Sequence, residues 1–336
     1  MEKLLAKSSP EPLTVKSTST PQICAKPFES VVFLFGPTGV GKTELLLDLD
    51  PKKFSVVNAD SIQVYRHLDI GSAKASSETL KAIPHYLVDI FDPWQQFSVG
   101  DFVAHADQAC KEIHEEGKVP VLSGGTAFYF KHFLFALSEA PPSDEGVRLS
   151  VAKEIAEKGD AWAHSRLAQV DPISAKRIHP SDMYRISRAL EIYEGSGRPL
   201  SSYAVPSKPR LGMKPLILGL NRDGDELKER IRQRVAQMFD EGLVEEIRHL
   251  IEMGANASWP ALQGIGYKEF FQARISGEAS RSMIAEQIER NSRAYAKRQM
   301  TFFKSFADVI WMDPTNKQPI LSLINWYQGA SSPSGR

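Results

Sequence analysis

Cysteine is nearly absent. Two of 336 residues, Cys24 and Cys110, are cysteines, which excludes a disulfide framework and a Cys-rich zinc module. The eight histidines have no metal-ligand spacing. No window of 18 apolar residues exists, so no transmembrane helix is expected. An excess of charge of one sign is missing too: Lys plus Arg is 41 and Asp plus Glu is 41. That excludes a polycation that coats nucleic acid and leaves room for a local basic groove. Residues 1–29 are poor in large apolar residues and rich in Ser, Thr, Pro and Lys. A disordered tail is expected there. Without an apolar run no secretory signal is expected, and the missing arginine together with Glu2 and Glu11 argues against an organelle transit peptide.

What is present reads as α/β. VVFLF (31–35), FSVVN (54–58), YLVDI (86–90), VPVLS (119–123), PLILGL (215–220) and DVIWM (308–312) are short apolar runs of the kind found in buried parallel strands. Helical patterns lie between them at 43–50, 101–116 and 126–136, and a long one begins near 225. This alternation predicts a parallel sheet covered by helices on both faces. From Ala140 to about Tyr203 no strand pattern occurs, and amphipathic, charge-rich sequence predicts an inserted all-helical subdomain, since a loop of that length is improbable. The expected division is a core of 30–139 and 204–315, a helical insertion at 140–203, and tails at 1–29 and 316–336.

Gly36-Pro37-Thr38-Gly39-Val40-Gly41-Lys42-Thr43 follows a strand and opens a helix, the context that makes it a P-loop. Its glycines let backbone N–H groups curl around a phosphate oxygen, the helix presents its positive end to the same anion, Lys42 adds charge, and the Thr43 hydroxyl suits Mg²⁺. The loop indicates phosphate or diphosphate, not ATP in particular. Asp60 follows the second strand, expected beside the P-loop strand, where it is either a Mg²⁺ ligand, a general base or the cap of a short helix at 61–66. Ser123-Gly124-Gly125-Thr126 is either an anion-approach turn or a tight strand–helix turn. Arg222, Arg230, Arg232 and Arg234 form a guanidinium cluster diluted by Asp223, Asp225, Glu226 and Glu229. It is either a site or a solvated helix face. Near the C-terminus Ile284, Ile288, Tyr295, Phe302 and Phe306 follow helical spacing beside a stripe of Arg290, Arg293, Lys297 and Lys304, which is either a nucleic-acid-contacting helix or a helix docked on the core.

GPTGVGKT, NADSIQVYRHLDIGSAK, PHYLVDIFDP, SGGTAFYFK, RIHPSDMYRISRALEIYEGSGRPLS, LQGIGYKEF and SRAYAKRQMTFFK, in that order from about Val31 to Asp313, resemble the tRNA dimethylallyltransferase (tRNA isopentenyltransferase) family. The resemblance implies a P-loop NTPase-like core with the inserted helices as a tRNA-binding domain. It implies transfer of the dimethylallyl group of dimethylallyl diphosphate to N6 of the adenine 3′-adjacent to the anticodon (position 37), with release of diphosphate. Residues 36–43 would hold the diphosphate. Asp60 matches the general base, Thr126 the threonine contacting diphosphate and substrate, and Arg234 the second arginine of an RI-x-x-R element that stabilises the leaving group. Asp60, Ser61, Ile62, Gln63 and Thr126 fall on tRNA-contacting positions. So do Arg148, Tyr184, Arg185, Ile186, Ser187 and Arg188, and so do Gln263, Gly264, Ile265, Gly266, Tyr267 and Lys268. Mg²⁺ is the expected cofactor, and tRNA anticodon stem-loops the expected partner of a monomeric, cytoplasmic enzyme. The chain departs from the pattern at Phe302 and Lys304, where the family carries Trp and Arg, and it lacks the eukaryotic members' zinc finger, implying the compact bacterial-type architecture. The competing readings are adenylate isopentenyltransferase (cytokinin synthesis), which the insertion argues against, and a P-loop kinase or switch protein, in which YLVDI is a degenerate Walker B strand ending near Asp89.

Overall fold

The computed structural model describes residues 30–204, 206–276 and 281–331, so the tail expected at 1–29 lies outside the described residues. Six strands form one parallel sheet: β1 (Val32–Phe35), β2 (Phe54–Asn58), β3 (His85–Tyr86), β4 (Val119–Gly124), β5 (Leu216–Leu220) and β6 (Ile310–Met312), in the order β3-β2-β4-β1-β5-β6. The helices are α1 (Lys42–Leu46), α2 (Ser77–Ala82), α3 (Val99–Glu115), α4 (Ala127–Phe135), α5 (Glu145–Lys158), α6 (Asp160–Val170), α7 (Pro172–Arg177), α8 (Met183–Ser196), α9 (Gly224–Asp240), α10 (Leu243–Glu252), α11 (Lys268–Ser276), α12 (Arg281–Phe303) and α13 (Lys317–Ser331). None is long and apolar enough to cross a membrane. The chain divides into two compact units, residues 131–211 and the remainder.

In the sheet unit, strand alternation sorts β1 onto two cores. Val32 and Leu34 join Leu45, Leu46 and Leu49 after the P-loop, and Ile320 and Ile324 of α13. Phe33 and Phe35 point the other way. Phe35 stacks on Phe303 of α12 with ring centroids 4.2 Å apart, and both phenylalanines meet Phe130 of α4 edge-on. The buried positions of α12 are Ile288, Ala296, Gln299 and Phe303. Phe302, expected on the core face, is only half-buried, because the helix turns Phe303 onto Phe35 instead.

Four expectations are corrected. Most of the tail expected at 316–336 is a helix: residues 317–331 carry Ile320, Ile324 and Tyr327 at one-turn intervals, with the Tyr327 hydroxyl accepting the Val31 N–H at 2.9 Å, and 332–336 lie outside the described residues. The strand read at 86–90 stops at Tyr86, because Leu87 and Asp89 take left-handed φ of 64° and 56°. The helix at 43–50 is one turn, ending at Leu46. Finally, β2 does not adjoin β1, since β4 stands between them.

The unit 131–211 holds no strand among its described residues. Helices α5 to α8 enclose Val151, Ala163, Leu167, Ile178, Ile186 and Leu190. Side chains placed one residue ahead of helices fix their starts. The Asp144 carboxylate accepts from Val147 N at 2.9 Å, Asp171 from Ser174 N at 3.0 Å and Asp182 from Arg185 N at 3.2 Å.

Candidate active site

Strand register brings the site together. Phe35 pairs with Gly124 and Asn58 with Ser123, so the P-loop, the Asp60 turn and the Gly124–Thr126 turn leave the same sheet edge side by side. Backbone bonds lock the last two: Ala59 N to Ser123 O at 2.8 Å and Thr126 N to Ala59 O at 3.1 Å. The Thr126 hydroxyl accepts the Ser61 N–H at 3.1 Å. Asp60 Oδ1 accepts from Ile62 N at 2.9 Å and Gln63 N at 3.3 Å. One carboxylate oxygen therefore caps a turn at 61–66, as the cap reading anticipates, although no helix forms there.

In the P-loop, Gly39 and Gly41 take φ of 78° and 111°, the left-handed turns that aim successive amides inward as an anion nest. Lys42 Nζ donates to the carbonyls of Gly36 and Pro37, both at 2.9 Å. Burial, and then the positive Arg234 nearby, pull its pKa down to about 7 against the opposing pull of Asp60.

The guanidinium cluster is divided. Arg234 is half-buried on α9, with Nη1 donating to the Thr38 hydroxyl at 2.7 Å and Nη2 to Ser72 O at 3.4 Å. Burial lowers its pKa and Asp60 opposes the shift. Arg230 Nε donates to Gly39 O at 2.8 Å and Arg222 Nε to Val40 O at 3.2 Å. These three wrap the loop. Arg232 points away and pairs with Glu229 at 2.6 Å, the solvated-face arrangement. On α12, Arg293 pairs with Glu289, and Lys297 and Lys304 are exposed.

Two α12 side chains join the site without having been singled out for it. Tyr295, expected only as an apolar-face residue, hydrogen-bonds with Thr126 and Gln299. Burial, aided by the Asp60 charge, pushes its phenol up to about 12. Gln299 links the P-loop to Gly125. Their one-turn spacing is visible in the sequence, but the partners that give it meaning lie more than 160 residues away.

A cavity of about 1500 Å³ runs from the P-loop past Asp60 and Tyr295 to Ile265 and Lys268. Ser61, Ile62, Gln63, Gln263 and Gly264 also line it. Gly266 and Tyr267 do not fit the expected RNA-contacting role. Tyr267 is fully buried, its hydroxyl donating to Glu246 at 2.8 Å and accepting Ser72 N–H at 3.0 Å. The Glu246 carboxylate also accepts the N–H groups of Asp69, Ile70 and Gly71 at 2.7–3.1 Å, so this knot holds the loop against which Arg234 rests. Gly266 is part of it: φ is 100°, and a Cβ would lie 2.6 Å from Gly71 O. Gly266→Ala is expected to cost roughly 2–4 kcal/mol through a strained φ and a backbone clash, read as a fall in the denaturant midpoint.

In the helical unit the expected contacts divide likewise. Tyr184 is 85 % exposed, and Arg148 and Arg185 are exposed and pair with Glu145 and Asp182. Ile186 is fully buried in the helical core and is unavailable to RNA, a correction that follows from its position on the inner face of α8. Ser187 and Arg188 bond Glu191, and Arg188 also bonds Pro141 O at 2.6 Å. Asp89 is held by Lys74 rather than standing at a strand end as a Walker B acid would.

The IPP transferase family profile matches residues 63–306. The chain belongs to this family. Curated relatives of this IPP transferase include the tRNA dimethylallyltransferases of Geobacter sulfurreducens, 41 % identical over 87 % of this chain and 95 % of that one, and of Thermoanaerobacter sp., 39 % identical over 84 % and 90 %. The tRNA isopentenylpyrophosphate transferase structure from Bacillus halodurans is 34 % identical, with TM-score 0.64 over 91 % of this chain and 98 % of that one. A eukaryotic dimethylallyltransferase acting on tRNA superposes with TM-score 0.70 at 25 % identity. The profile begins after the P-loop and Asp60; the cavity lining is what joins those two to residues inside the matched segment.

Proposed function

We propose that the cleft transfers the dimethylallyl group of dimethylallyl diphosphate to N6 of the tRNA adenine 3′-adjacent to the anticodon. The observation that carries this reading is one cavity whose lining brings together the P-loop anion nest, Arg234, Asp60 and, from the 263–268 segment, Gln263, Gly264, Ile265 and Lys268, with Thr126 bonded to the lining residue Ser61. The adenine amine is a poor nucleophile because its lone pair is delocalised, whereas an allylic carbon is a good electrophile once its diphosphate can leave. The bond from N6 to the allylic carbon forms as the carbon–oxygen bond to diphosphate breaks. The P-loop amides, Lys42 and Arg234 stabilise the charge growing on the leaving group, and the N6 proton passes to the Asp60 carboxylate. A stacked base cannot reach the cavity, so the adenine is taken out of the anticodon loop.

Mg²⁺ fits this donor set in one way only. Among the described residues no cluster of three His, Cys, Asp or Glu could cage a metal. A metal would therefore be held mainly by the substrate phosphates with the Thr43 hydroxyl, the usual habit of Mg²⁺, and it would neutralise leaving-group charge. The proposed enzyme is a cytoplasmic monomer, the tRNA substrate being what supports the cytoplasm.

Transfer of label from dimethylallyl diphosphate to an anticodon stem-loop and to AMP, side by side, tests the reading. Prenylated stem-loop with unmodified AMP is expected. Comparable rates on both substrates would assign the chain to adenylate isopentenyl transfer.

Donor binding should also depend on pH. Free Lys42 titrates near pH 7, and a bound diphosphate holds it protonated. Binding therefore takes up a proton, and affinity falls as pH rises above 7, by up to about tenfold per unit. Calorimetry in buffers of different ionisation enthalpy reads that uptake directly. No uptake near pH 8 would mean that Lys42 keeps its proton in the free protein.

A further inference from the structure

Gln299 is 4 % exposed, and both ends of its amide are engaged. Oε1 accepts the Thr38 backbone N–H at 3.0 Å, and Nε2 donates to the Gly125 carbonyl at 2.7 Å. Thr38 is held a second time through its hydroxyl, by Arg234 at 2.7 Å. It stands at the strand end of the P-loop, ahead of the left-handed Gly39 and Gly41. The amides of Gly41, Lys42 and Thr43, at the start of α1, have no intrahelical carbonyl to bond and are open to an anion. The Thr38 amide is not, because a protein side chain already occupies it.

This asymmetry bears on how many phosphates the loop accepts. Two phosphates would be matched by the nest at the helix end. A third, if it extended toward the strand end, would meet an N–H that is taken and come within the field of the Asp60 carboxylate, which acts on both Lys42 and Arg234. An ordinary P-loop cradles triphosphates, so a prenyltransferase using one must turn ATP away.

We propose that Gln299 is a specificity-determining residue that limits the P-loop to diphosphates by occupying the Thr38 amide. The proposal rests on the reading of the loop as a diphosphate site and adds the group that discriminates.

The test compares binding of inorganic pyrophosphate and inorganic tripolyphosphate, with Mg²⁺ and without tRNA, by calorimetry on the full chain. The native protein is expected to prefer pyrophosphate. Gln299→Ala frees the Thr38 amide and should shift the ratio of dissociation constants toward tripolyphosphate by about 10-fold or more, the factor carried by one hydrogen bond to a charged group. Gln299→Glu keeps an acceptor for Thr38 N–H and should retain the preference for pyrophosphate, although its charge weakens both anions. Gln299→Met keeps the length without the acceptor and should move the ratio as alanine does. It replaces the alanine variant if that fails to fold. An unchanged ratio in Gln299→Ala or Gln299→Met, or an equal loss of both anions, would overturn the proposal while leaving the diphosphate site in place. Failure of the native protein to bind pyrophosphate at all would overturn the underlying reading as well.

Discussion

Asp60→Asn is expected to slow single-turnover transfer by about 10²–10⁴-fold and to leave the tRNA dissociation constant little changed. The substitution separates the two jobs of this side chain. Asp60 Oδ1 accepts from Ile62 N and Gln63 N, and an asparagine oxygen can keep both bonds, so the 61–66 turn and its junction with Thr126 should survive. The amide cannot take a proton from N6 at neutral pH. A second change works in the same direction: the negative charge that favours protonated Lys42 and Arg234 is removed, so donor affinity at pH 8 should fall more than at pH 6. Were Asp60 chiefly a metal ligand, the defect would lie in donor binding and shrink as Mg²⁺ is raised. Were it only a turn cap, the cost would be at most about 1 kcal/mol of stability with near-normal rates. Single-turnover transfer at saturating tRNA and donor, across a Mg²⁺ series, separates the three outcomes.

Legibility from sequence followed the range of the interactions. The P-loop is local: its glycines, its lysine and the flanking strand and helix are contiguous, and β1, β2 and β4 were readable as unbroken apolar runs. What the sequence did not reveal is which strands are neighbours. Asp60 was expected beside the P-loop strand, yet β4 intervenes, and the P-loop and Asp60 approach through the Gly124–Thr126 turn that β4 carries. Helix α13 is not legible locally although Ile320, Ile324 and Tyr327 have helical spacing, because its significance lies in the Val31 backbone and the core under β1. Tyr267 and Ile186 were expected at an RNA surface on the strength of the segments they belong to. Burial is a residue-by-residue property, and within one helical turn Tyr184 is exposed while Ile186 is not. The arginines of α9 show the same limit: charge pattern does not distinguish Arg232 in its Glu229 pair from Arg234 against the P-loop.

Arg234→Ala is expected to lower the transfer rate at saturating substrates by about 10²–10³-fold, the usual cost of removing one preorganised donor from a developing anion. The residue is placed for this. It is half-buried on α9, one turn from the buried Ile231 and next to the buried Val235, and its guanidinium is held at Thr38 and Ser72. A charge already held in place needs little reorganisation as diphosphate leaves. Arg234→Lys keeps a cation but loses the planar fork that bonds both Thr38 and Ser72, so it should recover only part of the rate. A purely structural role predicts a different signature, because Arg234 is also the nearby positive charge that helps depress Lys42. Removing a like charge favours the protonated lysine, so the pH above which donor binding weakens should move upward from about 7 in Arg234→Ala and stay in place in Arg234→Lys. The movement is partial, since burial is the larger cause of the Lys42 shift. A rate loss accompanied by a lower unfolding temperature and an unmoved pH profile in both variants would make Arg234 a strut between α9 and the P-loop and remove it from leaving-group stabilisation.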